Sequence, residues 1–289
     1  MHSSSLMADP HPGAGLYIVG TPIGNLQDIT LRALTILGTV DLIAAEDTRH
    51  TRRLLNAHGI DKRLISYHEH NEMQRSVQLI ERLLQGAAIA LVTNAGTPTV
   101  SDPGYRLVRA AVAQRIAIIP IPGVSAVITA LSVAGLPTDQ FTFVGFPARK
   151  KARRMQQLQE LARLPHTLVF YQSPQRLAEF VRELKEVLGD RPAVLAREMT
   201  KMHEEFVRAQ LSAIGDIIQQ RESVRGECTL LVSGASADLP PSETEIDAAI
   251  RHAMALDDRS PGDIAKALAL RFKVSKKQIY DRTLALRGK

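Results

Sequence analysis

The sequence predicts an α/β protein of two domains followed by a small helical tail. Short apolar runs alternate with helix-patterned stretches from Leu16 to Ile121. A polar–apolar alternation enters the later strand-like runs around Val207. A Leu239-Pro240-Pro241 break precedes a segment that is purely helical in pattern. The first feature predicts a mainly parallel sheet covered on both faces, because helical crossovers must connect parallel neighbours. The second predicts a mixed, partly antiparallel sheet in the second domain. The length of 289 residues agrees with about two domains.

Met1 to Gly15 lacks the basic region and apolar stretch of a secretory signal, and residues 1–14 read as a disordered lead-in. The N-terminal domain, 15–138, has strand-like runs at Leu16–Gly20, Val40–Ala45, Ile89–Thr93 and Ile116–Ile121. Helices are predicted between them at Leu31–Leu37, Gln74–Gln85 and Tyr105–Gln114. Asp102-Pro103 reads as an N-cap with Pro in the first turn. Gly135 followed by Pro137 reads as a helix stop, which places a domain boundary near 136–142. The second domain, 139–236, opens with a strand at Phe141–Phe146 and a basic helix start, Arg149 to Arg154. Further strands are predicted at Thr167–Tyr171, Val194–Arg197, Glu205–Ala209 and Thr229–Ser233. The tail, 240–289, pairs a helix at Asp263–Phe272 with another from Lys276, in the manner of a helix-turn-helix.

Composition narrows the function classes. The apolar fraction of 45% and charged fraction of 23% are those of a globular protein. No apolar run reaches the roughly 18 residues of a membrane-crossing helix, so no membrane association is expected. The lone Cys228 fits a reducing, cytoplasmic setting and a buried strand thiol. His68 and His70 flank Glu69 without a second ligand pair, so no metal site is expected. The net charge is +6, and Ser260 to Lys289 alone carries eight Lys or Arg against two Asp. A neutral body with a basic tail points to a polyanionic partner.

Ligands of open α/β sheets bind beyond the carboxyl ends of strands, so the segments there carry the chemistry. Gly20-Thr-Pro-Ile-Gly-Asn25 is not a dinucleotide fingerprint. Pro22 and Asn25 occupy its second and third glycine positions, and Pro22 has no N–H for a pyrophosphate. Asn94 to Gly104 is longer than the roughly 2 to 6 residues of a plain connection and reads as a binding loop. Pro120 to Ala126 brings a Pro122-Gly123 turn and a cap at Ser125, with free N–H groups suited to an anion. Glu46 to Arg53 places charge at the same edge. No P-loop and no Gly-x-Ser-x-Gly elbow is present. The three loops predict a cofactor held mainly by backbone groups.

Together, Gly20 to Thr30, Glu46 to Arg53, Asn94-Ala-Gly-Thr-Pro98, Ser101-Asp-Pro-Gly104 and Pro122-Gly-Val-Ser-Ala126 resemble the tetrapyrrole-methylase-like S-adenosylmethionine methyltransferases. Within that group they resemble the bacterial branch that methylates the ribose 2′-oxygen of a cytidine in the decoding region of 16S ribosomal RNA. Gly145-Phe146 with Arg149-Lys-Lys151, Phe170 to Pro174 with Arg176-Leu177, and Arg197-Glu-Met-Thr-Lys201 agree. The family pattern has Asp where Asn94 stands, Pro where Val124 stands, and Leu-Pro near Pro147-Ala148.

The resemblance implies S-adenosylmethionine lodged between the two domains, a homodimer, and 16S rRNA or the small ribosomal subunit as partner. It implies that Pro22, Ile23 and Gly24 surround the cofactor, with Asn94, Ala95, Gly96, Thr97 and Pro98, and with Ser125 and Ala126. A ribose hydroxyl is a poor nucleophile and needs a base. Glu46, Asp47, Asp102 and Glu198 are the candidates, unranked. Phosphate-binding candidates are Arg49, Arg52 and Arg53, then Arg149, Lys150, Lys151, Arg153 and Arg154, then Lys201, and Lys276 and Lys277 in the tail. Two other readings stand beside this one: a tetrapyrrole methyltransferase of the same fold, and a non-enzymatic nucleic-acid-binding regulator.

Overall fold

The computed structural model describes residues 11–236, 243–256, 260–272 and 274–287. Most of the expected lead-in and the Pro240-Pro241 break lie outside them. The described residues form two compact units that divide between Gly234 and Ala235.

In the first unit, β1 (Gly15–Val19), β2 (Leu42–Ala45), β3 (Leu64–Ser66), β4 (Ala88–Val92) and β5 (Ile118–Ile121) form one sheet in the order β3-β2-β4-β1-β5. Every pairing is parallel. The period of two along each strand explains the double burial. Val19, Ile43, Ala45, Ala90 and Val92 face one core, joined by Leu37 of α1 (Leu31–Thr39) and Leu55 of α2 (Thr48–Ala57). Leu16, Leu42, Ala44, Ile89 and Leu91 face the other. There they meet Leu79 and Leu83 of α3 (Glu72–Leu84) and Leu107 of α4 (Tyr105–Ala113).

A second sheet has the order β6-β7-β10-β8-β9, from β6 (Phe141–Gly145), β7 (Thr167–Gln172), β8 (Pro192–Arg197), β9 (Glu205–Gln210) and β10 (Cys228–Val232). Only β6 and β7 pair in parallel, so this sheet is mixed, as the Val207 alternation predicts. One face is covered by α6 (Lys151–Leu161), α7 (Pro174–Leu188) and α8 (Leu211–Gln219), through Leu158, Phe180 and Ile214. The other face packs Val169, Val194 and Leu231 against Val127, Ala130 and Leu131 of α5 (Ala126–Ala134). Ser125 caps α5 and Gly135 ends it at φ 73°, both as expected. The α5 helix therefore belongs to the core of the second sheet while starting from a loop of the first.

One expected cap is different. The α4 helix begins at Tyr105, and its N-cap is Gly104 at φ 135°, not Asp102. A Cβ on Gly104 would stand 2.8 Å from Leu91 Cδ2 and 2.9 Å from Thr99 Cγ2. Only glycine lets the chain turn there, so the helix starts after it.

The second unit holds three helices, α9 (Glu243–Leu256), α10 (Pro261–Phe272) and α11 (Lys276–Arg287), where a pair is predicted. Ile246, Ile250, Ile264, Leu268 and Ile279 form its core. Ser260 starts α10, donating to Asp263 Oδ2 at 2.6 Å and accepting from the Asp263 N–H at 3.2 Å. Arg282 pairs with Asp247, which ties α11 to α9.

Candidate functional site

The loops that follow β1, β2, β4 and β5 come from four neighbouring strands and meet at one sheet edge. Backbone contacts lock them together. Thr21 and Gly96 exchange N–H···O bonds of 2.9 and 3.0 Å, and Thr21 Oγ1 donates to the Thr93 carbonyl at 3.1 Å. A Cβ on Gly20 would lie 2.8 Å from the Gly123 Cα, and one on Gly123 equally close to the Gly20 Cα. These two glycines serve loop-to-loop approach.

Between these loops and the second sheet lies a cavity of about 470 Å³. Ile23, Asn94, Ala95, Gly96 and Thr97 line it, with Ser125 and Ala126. Pro22, Gly24 and Pro98 are not among its lining residues. Gly24 instead packs against the Lys201 side chain, and the Asn25 N–H donates to Thr200 Oγ1 at 3.1 Å. The opposite wall comes from Phe146, Tyr171, Met199, Glu227 and Thr229. Of these, Phe146, Tyr171 and Met199 fall inside segments that carry the resemblance, but none is singled out by its own spacing.

Of the four candidate bases, Glu46 and Asp102 line the cavity and Asp47 and Glu198 do not. The Thr93 hydroxyl donates to Glu46 Oε2 at 2.7 Å, and the Asn94 N–H donates to the same oxygen at 3.2 Å. Thr93 also reaches Asp102. Burial, reinforced by the charge of Glu46, pushes the Asp102 carboxyl up to about 6. Burial and the Asp102 charge push the Tyr171 phenol up to about 12. Burial likewise raises the Cys228 thiol to about 11, in keeping with an inert strand cysteine.

Asp47 caps α2, accepting from the Arg49 and His50 N–H groups, and pairs with the Arg49 guanidinium. Those hydrogen bonds, led by that of the Arg49 side chain, lower its carboxyl to about 2. Asn94 Oδ1 accepts from the Asp47 N–H at 3.2 Å, a bond that the amide makes without a carboxylate's charge. Glu198 is held at φ 51°. Burial raises its pKa, but the bonds from Lys201 Nζ at 2.9 Å and the Glu227 N–H outweigh this, and the net shift is downward.

The expected phosphate ligands divide in the same way. Arg53, Arg149, Lys150, Lys151 and Arg153 are exposed, as are Lys276 and Lys277 in the second unit. Arg49 and Arg52 pair with Asp47 and Asp61 at the surface. Lys201 bridges Glu198 at 2.9 Å and Glu227 at 3.1 Å. Arg154 is a correction: it is 5% exposed and is not a surface cation. Its Nε and Nη2 donate to the two Glu183 oxygens at 2.6 and 2.8 Å, and its Nη1 donates to the Ala148 and Arg149 carbonyls. Among the described residues no cluster of His, Cys, Asp and Glu could hold a metal. No described helix is long and apolar enough to cross a membrane.

Residues 15–215 match the family of Tetrapyrrole (Corrin/Porphyrin) Methylases. The chain is 44% identical to ribosomal RNA small subunit methyltransferase I of Halalkalibacterium halodurans, over 92% of this chain and 93% of that one. It is also 44% identical to the enzyme of the same name from Pseudomonas aeruginosa, over 95% and 98%. Among solved structures it resembles cobalt precorrin-4 methyltransferase, with TM-score 0.56 and 19% identity over 75% of this chain and 94% of that one. Diphthine synthase is similarly related, with TM-score 0.57 and 16% identity over 76% and 89%. At those identities the structures speak for the fold, and the two sheets described above are that fold. By its sequence match and its architecture, this chain belongs to the tetrapyrrole methylase family.

Proposed function

We propose that this chain methylates the ribose 2′-oxygen of a cytidine in 16S ribosomal RNA, with Asp102 as the general base. The broader function is that of an S-adenosylmethionine-dependent methyltransferase of small-subunit ribosomal RNA, the activity named in relatives that align over nearly their whole length. The observation that carries the assignment of the base is the Asp102 carboxyl, raised to about 6 inside the cavity beside Glu46.

The cavity fits the cofactor. Its volume falls in the roughly 300 to 1,000 Å³ range of small-molecule sites. Ile23, Ala95, Ala126 and Met199 offer apolar walls, while Asn94, Thr97 and Ser125 offer polar groups. Two carboxylates suit a ligand that carries a positive charge. S-adenosylmethionine, when bound, supplies a methyl group already activated on a sulfonium. The protein's own task is then positioning and proton removal.

Asp102 suits proton removal because its pKa lies just below neutral pH. It is mostly ionised there, yet basic enough to accept a hydroxyl proton as the new bond forms. Burial, with added repulsion from Glu46, which Thr93 and Asn94 hold, keeps that affinity high. The Thr21–Gly96 pair and the Gly20–Gly123 contact keep the loops in one arrangement.

Arg53, Arg149, Lys150, Lys151 and Arg153 supply surface cations for RNA phosphates, and Lys276 and Lys277 of the tail add two more. The two domains read at 15–138 and 139–236, the homodimer and a cytoplasmic location belong to the same proposal. The test offers labelled S-adenosylmethionine with small ribosomal subunits, with free rRNA and with a tetrapyrrole. Label in 2′-O-methylcytidine is expected. Label in the tetrapyrrole alone, or in none of the three, would overturn the assignment.

A further inference from the structure

We propose that Phe146 is the platform on which a base of the RNA substrate stacks at the rim of the methyl-transfer cavity. This deepens the functional reading above and rests on it.

The backbone delivers Phe146 to that rim. The β6–β7 register shifts between Phe143 and Gly145, and Gly145 stands at φ 72°. Such a bulge bends a strand and re-aims the side chain that follows. A Cβ on Gly145 would lie 2.9 Å from Ser101 Oγ. The bend therefore presses against the loop that carries Asp102. Phe146 lines the cavity and is 61% exposed.

The ring is braced from one side. Tyr171 lies 5.5 Å from it at 59°, and Phe143 braces Tyr171 in turn at 5.0 Å. The chain has only seven Phe, five Tyr and no Trp; three of these aromatics pack in series, and two of them, Phe146 and Tyr171, line the cavity. Phe146, Tyr171 and Asp102 line the same cavity, so the platform shares it with that carboxylate.

The segment after Phe146 is equally fixed. Buried Arg154 donates to the Ala148 carbonyl at 3.1 Å and to the Arg149 carbonyl at 3.0 Å, while Glu183 holds its guanidinium. Arg149, Lys150 and Lys151 are thereby presented to solvent from an anchored backbone. An exposed ring followed by exposed cations on a fixed backbone is an arrangement that suits unstacked, single-stranded nucleic acid. The base stacks on the ring, and the phosphates on either side meet the charges.

The test compares wild type with Phe146→Ala and Phe146→Trp. Methyl transfer to small ribosomal subunits is measured, together with the Kd of S-adenosylhomocysteine by calorimetry. Phe146→Ala is expected to lower kcat/KM for RNA about tenfold or more, mainly through KM. Phe146→Trp is expected to restore it, and the Kd to stay within about twofold of wild type in both variants. Unchanged kcat/KM in Phe146→Ala, or no recovery in Phe146→Trp, would overturn the proposal. So would a loss of S-adenosylhomocysteine affinity equal to the loss of kcat/KM, since the ring would then serve the cofactor. A wild-type protein that labels no RNA would instead bring down the functional reading and this proposal with it.

Discussion

Glu46 and Asp102 line one cavity, and the charge of the first adds to burial in raising the second to about 6. The Thr93 hydroxyl reaches both carboxylates. A base acts only when deprotonated, so kcat/KM is predicted to fall as pH drops through about 6. Glu46→Gln removes the repulsion, lowers the Asp102 pKa and moves that inflection to lower pH. A pH–rate profile of both proteins checks the shift, and an inflection that stays in place contradicts it.

The same carboxyl has a consequence for stability. Its folded pKa lies above the ordinary 3.8, so the folded state binds the proton more tightly than the unfolded chain. The contribution of Asp102 is therefore favourable below pH 3.8 and is lost as pH rises toward about 6. Asp102→Asn removes the charge that opposes folding near neutral pH. Its Tm at pH 8 is predicted to exceed that of wild type, although its activity falls. Thermal melts at pH 8 that show a lower Tm would count against this.

Arg154 and Glu183 form a buried, doubly hydrogen-bonded pair. Without Glu183 the buried guanidinium keeps only the half-exposed Glu179 at 3.3 Å and two backbone carbonyls. Glu183→Ala is predicted to cost about 3–5 kcal/mol, measured by urea unfolding. A loss below about 1 kcal/mol, the scale of an exposed ion pair, would mean that the guanidinium finds water or another acceptor.

Gly20 and Gly123 pack backbone to backbone. Gly20→Ala must force the two loops apart, and overpacking of this kind costs about 1–3 kcal/mol. The spread loops also belong to the cavity wall, so the affinity for S-adenosylhomocysteine is predicted to fall with stability. Calorimetry and a thermal melt on the same sample check both.

The second unit has its own core and its own cap. Truncation after residue 239 is predicted to weaken RNA binding while leaving S-adenosylhomocysteine binding unchanged. Lys276→Ala with Lys277→Ala should reduce the salt slope of RNA binding by about two if each meets one phosphate. RNA affinity equal to that of the full chain would remove the tail from the interface.

Much of this was legible from residue order, and the gaps have physical causes. The strands β1, β2 and β4 are apolar throughout and buried on both faces, so continuous runs mark them to within two residues. The β3 strand is three half-buried residues and leaves no such run. The α2 helix opens on Thr48 to Arg53, whose charges read as a site edge. Its apolar contacts come only later, at Leu54 and Leu55. The α7 helix is not among the expected elements, although Pro174 begins it and Leu177, Phe180, Val181 and Leu184 fall at helical spacing.

The loops beside the cavity are legible because each follows a strand. The rank of the bases is not, since the pKa of Asp102 depends on burial in the folded chain and on Glu46, which is distant in sequence. Arg154 stands within a basic run, and nothing local distinguishes it from Arg153. Only the packing of α6 on α7 brings Glu183 to it.

In the proposed reaction Asp102 takes the proton from a ribose hydroxyl. The most direct test of this step is the single-turnover rate of wild type and Asp102→Asn on small ribosomal subunits, with label recovered as 2′-O-methylcytidine. The predicted result is label in that nucleoside and a loss of about 10²-fold or more in the variant, with S-adenosylhomocysteine affinity retained. A variant that transfers the methyl group at the wild-type rate would contradict it.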